Sequence, residues 1–160
     1  MQVKGILDED FVNFRLPSMY IAFPKCDFKC DKECGQKVCQ NSALVSSPNI
    51  DIPMEKIITR YKNNEISKAI VCAGLEPFDT FEVLKKFCYE VRRAYIKDPI
   101  VIYTGYEKEE IIDKVNELVL VASPNLIIKY GRFIPNKKGY DNLLLGVKLA
   151  SSNQWAERYE

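Results

Sequence analysis

Lys68-Ala-Ile-Val-Cys72-Ala-Gly74-Leu-Glu76-Pro77-Phe-Asp79 decides the fold class. Lys68 to Ala73 is an apolar run closed by Gly74 and Pro77, which predicts a short buried strand. Asp79, with Glu82 three residues on, predicts the capping box of a helix, with Asp standing in for Ser or Thr. Behind it, Leu84, Phe87, Cys88, Val91 and Tyr95 recur at helical spacing, so the helix buries one face. The same pairing repeats on both sides. Upstream, Met19 to Phe23 predicts a strand that ends at Pro24, and Asp51 caps a helix with Pro53 in its first turn and Met54, Ile57, Ile58 and Tyr61 on one face. Downstream, Ile100 to Tyr103 predicts a strand. Glu107 to Leu118 predicts a helix facing inward through Ile111, Ile112, Val115 and Leu118, and Leu126 to Tyr130 predicts another strand. From Gly131 to Glu160 the pattern is less regular. Strand and helix alternate, so the expected fold is α/β, a single domain of parallel βα units over residues 1–160. Ligands in such folds gather at the C-terminal ends of the strands.

Composition narrows the chemistry. The chain has 160 residues, enough for one ordinary core. Lys plus Arg is 23 and Asp plus Glu is 22, so no basic excess points to nucleic acid. His is 0, which excludes a Ser-His-Asp triad, a Cys-His pair and any metal site that needs imidazole. The seven glycines form neither a GxGxxG nor a GxxxxGK pattern, so no dinucleotide fingerprint or P-loop is present. Met1 to Asp10 carries no secretory pattern and no apolar run approaches a membrane span, so the expectation is a cytoplasmic chain that does not engage a membrane.

Six cysteines are present, and four fall in one loop: Cys26-Asp-Phe-Lys-Cys30-Asp-Lys-Glu-Cys34-Gly-Gln-Lys-Val-Cys39-Gln-Asn41. In a reducing compartment such a cluster is a metal or redox site rather than a disulfide framework. Thiolates are soft ligands that suit zinc and iron–sulfur clusters. Four of them make a closed site; three leave one iron open to a small molecule. Cys26 to Pro48 has no strand or helix period, and a loop this long needs a function or a staple, which a metal supplies. Cys72, inside an apolar strand, and Cys88, on the apolar face of a helix, read as core.

These segments together resemble the radical S-adenosylmethionine (SAM) enzymes, in the branch of small activating enzymes for glycyl radical enzymes, above all the activators of anaerobic ribonucleoside-triphosphate reductase. The strand followed by Cys26-x3-Cys30 and then Cys39-Gln40-Asn41 is similar to the family's cluster loop. Ala73-Gly74-Leu75-Glu76-Pro77 resembles the Gly-Gly-Glu/Asp-Pro motif that holds the SAM amino group. Tyr103-Thr104-Gly105-Tyr106 resembles the aromatic-Thr-Gly-Tyr of a later strand. Gly131-Arg132-Phe133, Gly146 and Ser152-Asn153-Gln154 resemble the C-terminal signature of the reductase activators. The resemblance runs from about Met19 to Gln154. Two departures stand out. The third cysteine of the family follows the second after two residues, and here it is Cys39 after an insertion, or Cys34 as the alternative. Leu75 stands where the family has its second glycine, and its side chain restricts φ.

The resemblance implies an incomplete TIM-like barrel with a cluster loop at residues 26–41. It implies a [4Fe–4S] cluster on Cys26, Cys30 and Cys39, and SAM held by Gly74, Glu76, Pro77 and Thr104. Arg132, Asn153 and Gln154 fall to the substrate or partner. The implied activity is reductive cleavage of SAM to a 5′-deoxyadenosyl radical that installs a glycyl radical on a partner such as anaerobic ribonucleotide reductase, with a flavodoxin or ferredoxin as electron donor. The alternatives are a radical SAM reaction on another substrate, or a non-catalytic zinc module using all four loop cysteines. Trp155 and Tyr159 cover either the core or a partner surface.

Overall fold

Four apolar runs lie side by side as the centre of one sheet. In chain order, the computed structural model, which describes residues 1–160, has β1 (Gln2–Val3), β2 (Gly5–Asp10), β3 (Ser18–Phe23), α1 (Lys29–Cys34), α2 (Ser42–Val45), β4 (Ile50–Asp51), α3 (Met54–Lys62), β5 (Ile70–Gly74), α4 (Phe81–Arg93), β6 (Ile100–Tyr103), α5 (Ile112–Ala122), β7 (Leu126–Tyr130), β8 (Tyr140–Asn142), β9 (Val147–Leu149) and β10 (Trp155–Tyr159). Single 3₁₀ turns at Pro77–Thr80 and Lys108–Ile111 lead into α4 and α5. The main sheet has six strands in the order β10-β7-β6-β5-β3-β2. The four central strands are parallel, and β2 and β10 pair antiparallel at the two edges. The chain is thus a mixed α/β domain around a mostly parallel sheet.

The central strands are buried on both faces, which is why they read as near-continuous apolar runs. One face, with Ile21, Cys72, Ile102 and Ile128, packs on α3, α4 and α5 through Ile57, Leu84, Phe87, Val115 and Leu118. The opposite face, with Val71, Ala73, Val101 and Ile127, is covered at one end by Phe14, Leu145 and Leu149. Toward the C-terminal ends of the strands this second face opens into a cleft. No helix is long and apolar enough to cross a membrane.

The strands Ile100–Tyr103 and Leu126–Tyr130 lie where their composition places them. Cys72 and Cys88 are both fully buried, as core residues. Other local expectations are corrected. Asp51 caps no helix; it pairs with Gln2 in a two-stranded ribbon, and Pro53 is the N-cap of α3. Asp79 sits within a 3₁₀ turn, Thr80 precedes α4, and the Asp79 carboxylate is used elsewhere. Tyr95 is 90% exposed with φ 61, because α4 has already ended at Arg93. Ile112 is 40% exposed, since the 3₁₀ turn before α5 shifts the helical phase. The cysteine loop contains two short helices, α1 and α2, and the C-terminal segment adds β8, β9 and β10. Trp155 and Tyr159 cover the core: Trp155 stacks on Tyr130 at 4.8 Å, and the Tyr159 and Tyr130 hydroxyls share a hydrogen bond of 2.8 Å.

Candidate metal centre

Three of the four loop cysteines face one cleft, and local backbone chemistry explains how. After β3 the chain turns at Pro24, and Phe28 adopts φ 57, a left-handed kink that starts α1. Cys30 then lies in the first turn of α1 and Cys34 at its end, where Gly35, with φ 66, stops the helix. The chain returns because the Asp31 carboxylate accepts from the backbone N–H groups of Val38 and Cys39, both at 2.8 Å. That return sets Cys39 beside Cys30. Cys26, Cys30 and Cys39, followed by Gln40 and Asn41, line a cleft of about 480 Å³ at the C-terminal ends of β5, β6 and β7; Cys34 does not line it.

The donor set fits an iron–sulfur cluster. All six cysteines are free, and the four in the loop are half-buried. With no histidine in the chain, the three cleft thiols are its soft ligands. The Phe28 N–H donates to Cys26 Sγ at 3.3 Å, and the Phe133 backbone lowers the Cys30 pKa by a hydrogen bond; such bonds also stabilise sulfur bound to iron. Burial pushes the Cys26 thiol up to about 12 and raises that of Cys30, where Arg132 pulls the other way. The Cys26 and Cys30 thiols are therefore protonated at neutral pH, and binding a metal must release those protons.

Glu76 is the most buried carboxyl of the cleft, 6% exposed. Its Oε1 accepts from Phe78 N–H at 3.0 Å and from the Thr104 hydroxyl at 2.9 Å, and its Oε2 accepts from Gly105 N–H at 2.8 Å. Burial raises its pKa to about 7, against those three bonds, which lower it. Pro77 opens the 3₁₀ turn that points Phe78 N–H back at Glu76. Thr104 is itself held, accepting from Tyr106 N–H at 3.1 Å. Its hydroxyl thus orients Glu76. Gly74 has φ +89, and a Cβ there would lie 2.7 Å from Ala22 Cα, so only glycine lets β5 turn against β3. Leu75 needs no such freedom: it is absent from the residues with positive φ.

The residues at positions 132, 153 and 154 are engaged within the chain. Arg132 is 7% exposed. Its Nη2 donates to both Glu110 oxygens at 2.7 Å, its Nε lies 3.3 Å from Glu33 of α1, and its guanidinium sits over the Tyr106 ring at 5.7 Å. Lys29 also reaches Glu110, at 3.3 Å. This network ties the cysteine helix to the ends of β6 and β7. Asn153 Nδ2 donates to Arg132 O at 2.8 Å, while its buried Oδ1 has no partner. Gln154 Oε1 accepts from Ala150 and Ser151 N–H at 3.1 and 3.2 Å, and its Nε2 donates to Gly131 O at 3.3 Å. Gly131, Phe133 and Gln154 form one wall of the cleft.

Three further residues shape the site without belonging to any cofactor motif. Asp31 positions Cys39. Asp79 clamps the start of the loop, accepting from Asp27 N–H at 2.8 Å and from the Tyr106 hydroxyl at 2.6 Å. Lys129 is 6% exposed on the cleft face of β7, donates from Nζ to Gly131 O at 2.7 Å, and is pushed down to about 8 by burial. The signal in the sequence was a lone charge inside the apolar strand Leu-Ile-Ile-Lys-Tyr130.

A family model described as a 4Fe-4S single cluster domain matches residues 17–154. The comparisons find no matching curated protein and no matching solved structure. The chain belongs to the 4Fe-4S single cluster domain family, and the match spans the cysteine loop.

Proposed function

From that membership we propose that the chain is a radical SAM enzyme, with the cluster held by Cys26, Cys30 and Cys39 and with SAM in the adjoining cleft. In this reading the sheet is part of an incomplete barrel, and the reaction installs a glycyl radical on a partner such as anaerobic ribonucleotide reductase, with a flavodoxin or ferredoxin as electron donor. Held by Cys26, Cys30 and Cys39, the cluster would supply the electron for the reductive cleavage of SAM that this reading requires.

One observation carries the reading: three thiols, Gly74, Glu76 and Thr104 share a single cleft. Three cysteines leave an iron with an open position, the property that separates a reactive metal from a structural one. The residues then have distinct tasks. Glu76 offers a buried carboxyl to the SAM ammonium, a charge-assisted bond. Thr104 and the Gly105 N–H fix that carboxyl, so it needs no reorganisation when the ligand arrives. Arg132, Glu110 and Asp79 pin the loop over the cleft, which limits the entry of water. Gly131, Phe133 and Gln154 form the wall of the cleft that this reading assigns to the partner's glycine loop.

A closed four-cysteine zinc site needs Cys34 in the donor set, and Cys34 lies outside the cleft. The deciding experiment is an EPR spectrum of the anaerobically reconstituted, reduced protein with and without SAM. The expected result is a [4Fe–4S]⁺ signal that changes when SAM is added. A signal indifferent to SAM would sink the reading while leaving the cluster in place.

A further inference from the structure

Lys129 is a buried cation that no side-chain anion neutralises. It lies on the cleft face of β7, and the neighbouring positions of that strand are apolar or aromatic. Its only hydrogen bond is to the neutral Gly131 carbonyl, and it forms no ion pair. The Tyr103 ring, 6.0 Å away, is at the limit of a useful cation–π contact. Burying an ammonium this way is costly unless an anion comes to it.

The charged groups around it account for themselves. Arg132 is neutralised by Glu110 and Glu33, and Lys29 also pairs with Glu110. The Glu76 carboxyl shares the cleft and its charge reaches Lys129, but the two form no ion pair, and Phe78, Thr104 and Gly105 hold three of its acceptor positions. Glu76, Cys30 and Glu107 are the acidic groups whose charge Lys129 senses, and Cys30 is one of the three cleft thiols. Three thiolates around a [4Fe–4S] cluster make a net anion, and reduction adds one more negative charge to it. A fixed buried cation stabilises the reduced form more than the oxidised one.

We propose that Lys129 is the buried counter-charge of the cluster and holds its reduction potential up. The inference rests on cluster binding alone. It involves no SAM, so its failure and the failure of the radical SAM reading are distinguishable.

The test is an anaerobic redox titration of the reconstituted protein without SAM, followed by EPR, on wild type, K129R, K129M and K129Q. Circular dichroism and iron and sulfide content are read first. The expected result is a midpoint shifted to more negative potential in K129M and K129Q, with K129R close to wild type. If both neutral variants fold but hold no cluster while K129R holds one, the charge acts in assembly rather than on the potential, and the proposal is overturned as stated. Loaded neutral variants that titrate at the wild-type potential would overturn it. So would folded K129R, K129M and K129Q that all fail to load, because side-chain shape rather than charge would then be the requirement. Failure of both neutral variants to fold would likewise overturn it, making Lys129 a residue of the fold.

Discussion

The Asp31 carboxylate accepts the backbone N–H of Cys39 at 2.8 Å, and this bond sets the third thiol on the cleft. Asp31 lies in α1 beside Cys30, so the helix that carries one cleft thiol also positions another, Cys39, eight residues beyond Asp31. The same oxygen accepts from Val38 N–H. Replacing Asp31 by Ala frees both N–H groups in a half-buried loop. D31A is expected to fold with wild-type circular dichroism and to lose most of its iron on reconstitution. Wild-type iron and sulfide content in D31A would show that Cys39 needs no such anchor.

The cleft separates the cysteines by role. C26S, C30S and C39S are each expected to lose the cluster's visible absorption. C34S is expected to keep it, because Cys34 ends α1 away from the cleft. Loss of absorption in C34S equal to that in C39S would return Cys34 to the ligand set.

Glu76 carries a predictable stability signature. Its folded pKa, about 7, lies above the usual carboxyl value of 4.5. Between those two values the folded chain holds a proton that the unfolded chain has released. Stability is therefore lost as pH rises through this window, at up to about 1.4 kcal/mol per pH unit. E76Q removes that slope. Its melting temperature is expected to match wild type near pH 4.5 and to exceed it at pH 8, while its affinity for SAM, on the proposed function, falls by roughly tenfold or more. Parallel melting curves for the two proteins across pH 4–8 would show that Glu76 does not titrate in this way.

Glu110 runs in the opposite direction. The Arg132 guanidinium holds its carboxyl down at about 2. Its stabilisation is present above the ordinary carboxyl value and is lost as pH falls from about 4.5 toward 2. E110Q leaves the buried Arg132 with only Glu33 for a charged partner. The variant is expected to release the cysteine helix, seen as faster protease cleavage between residues 29 and 45, and to show a shallower acid transition. An unchanged cleavage pattern would remove this network from the positioning of the loop.

Gly74 tests the geometry of the strand end. A methyl there meets the Ala22 backbone at 2.7 Å on a residue held at φ +89. G74A is expected to destabilise the fold by about 2–3 kcal/mol, measured by denaturant unfolding. L75G, at a position with ordinary φ, is expected to change stability by less than about 1 kcal/mol. A smaller effect for G74A than for L75G would contradict this assignment.

The central strands were legible because they are buried on both faces: Ile100–Tyr103 and Leu126–Tyr130 contain almost nothing but apolar and aromatic residues. The edges were not. β2 reads Gly-Ile-Leu-Asp-Glu-Asp10, and its acidic half becomes a strand only because β3 offers it a partner. β10 is similarly made by pairing with β7. The site divides in the same way. The cysteines announce themselves by residue type and spacing, and Glu76 by the resemblance of Ala73-Gly74-Leu75-Glu76-Pro77 to a family motif. Asp31, Asp79 and Lys129 act through contacts that exist only once the chain has folded, and an Asp in a turn or a Lys in a strand has many ordinary uses. The two Asp residues read as helix caps, Asp51 and Asp79, failed because a capping signal describes local backbone, while their actual partners, Gln2 and the Asp27 N–H, lie far along the chain.

That separation along the chain bears on how the protein is made. The thiols leave the ribosome early, but the groups that arrange them come later. Asp79 is 52 residues beyond Asp27, and Glu110 is 81 beyond Lys29. A nascent chain therefore displays its cysteines, without a cradle, while most of the sheet is still unsynthesised. The cradle that arranges the thiols is complete only once β7 and the segment carrying Arg132 have been made.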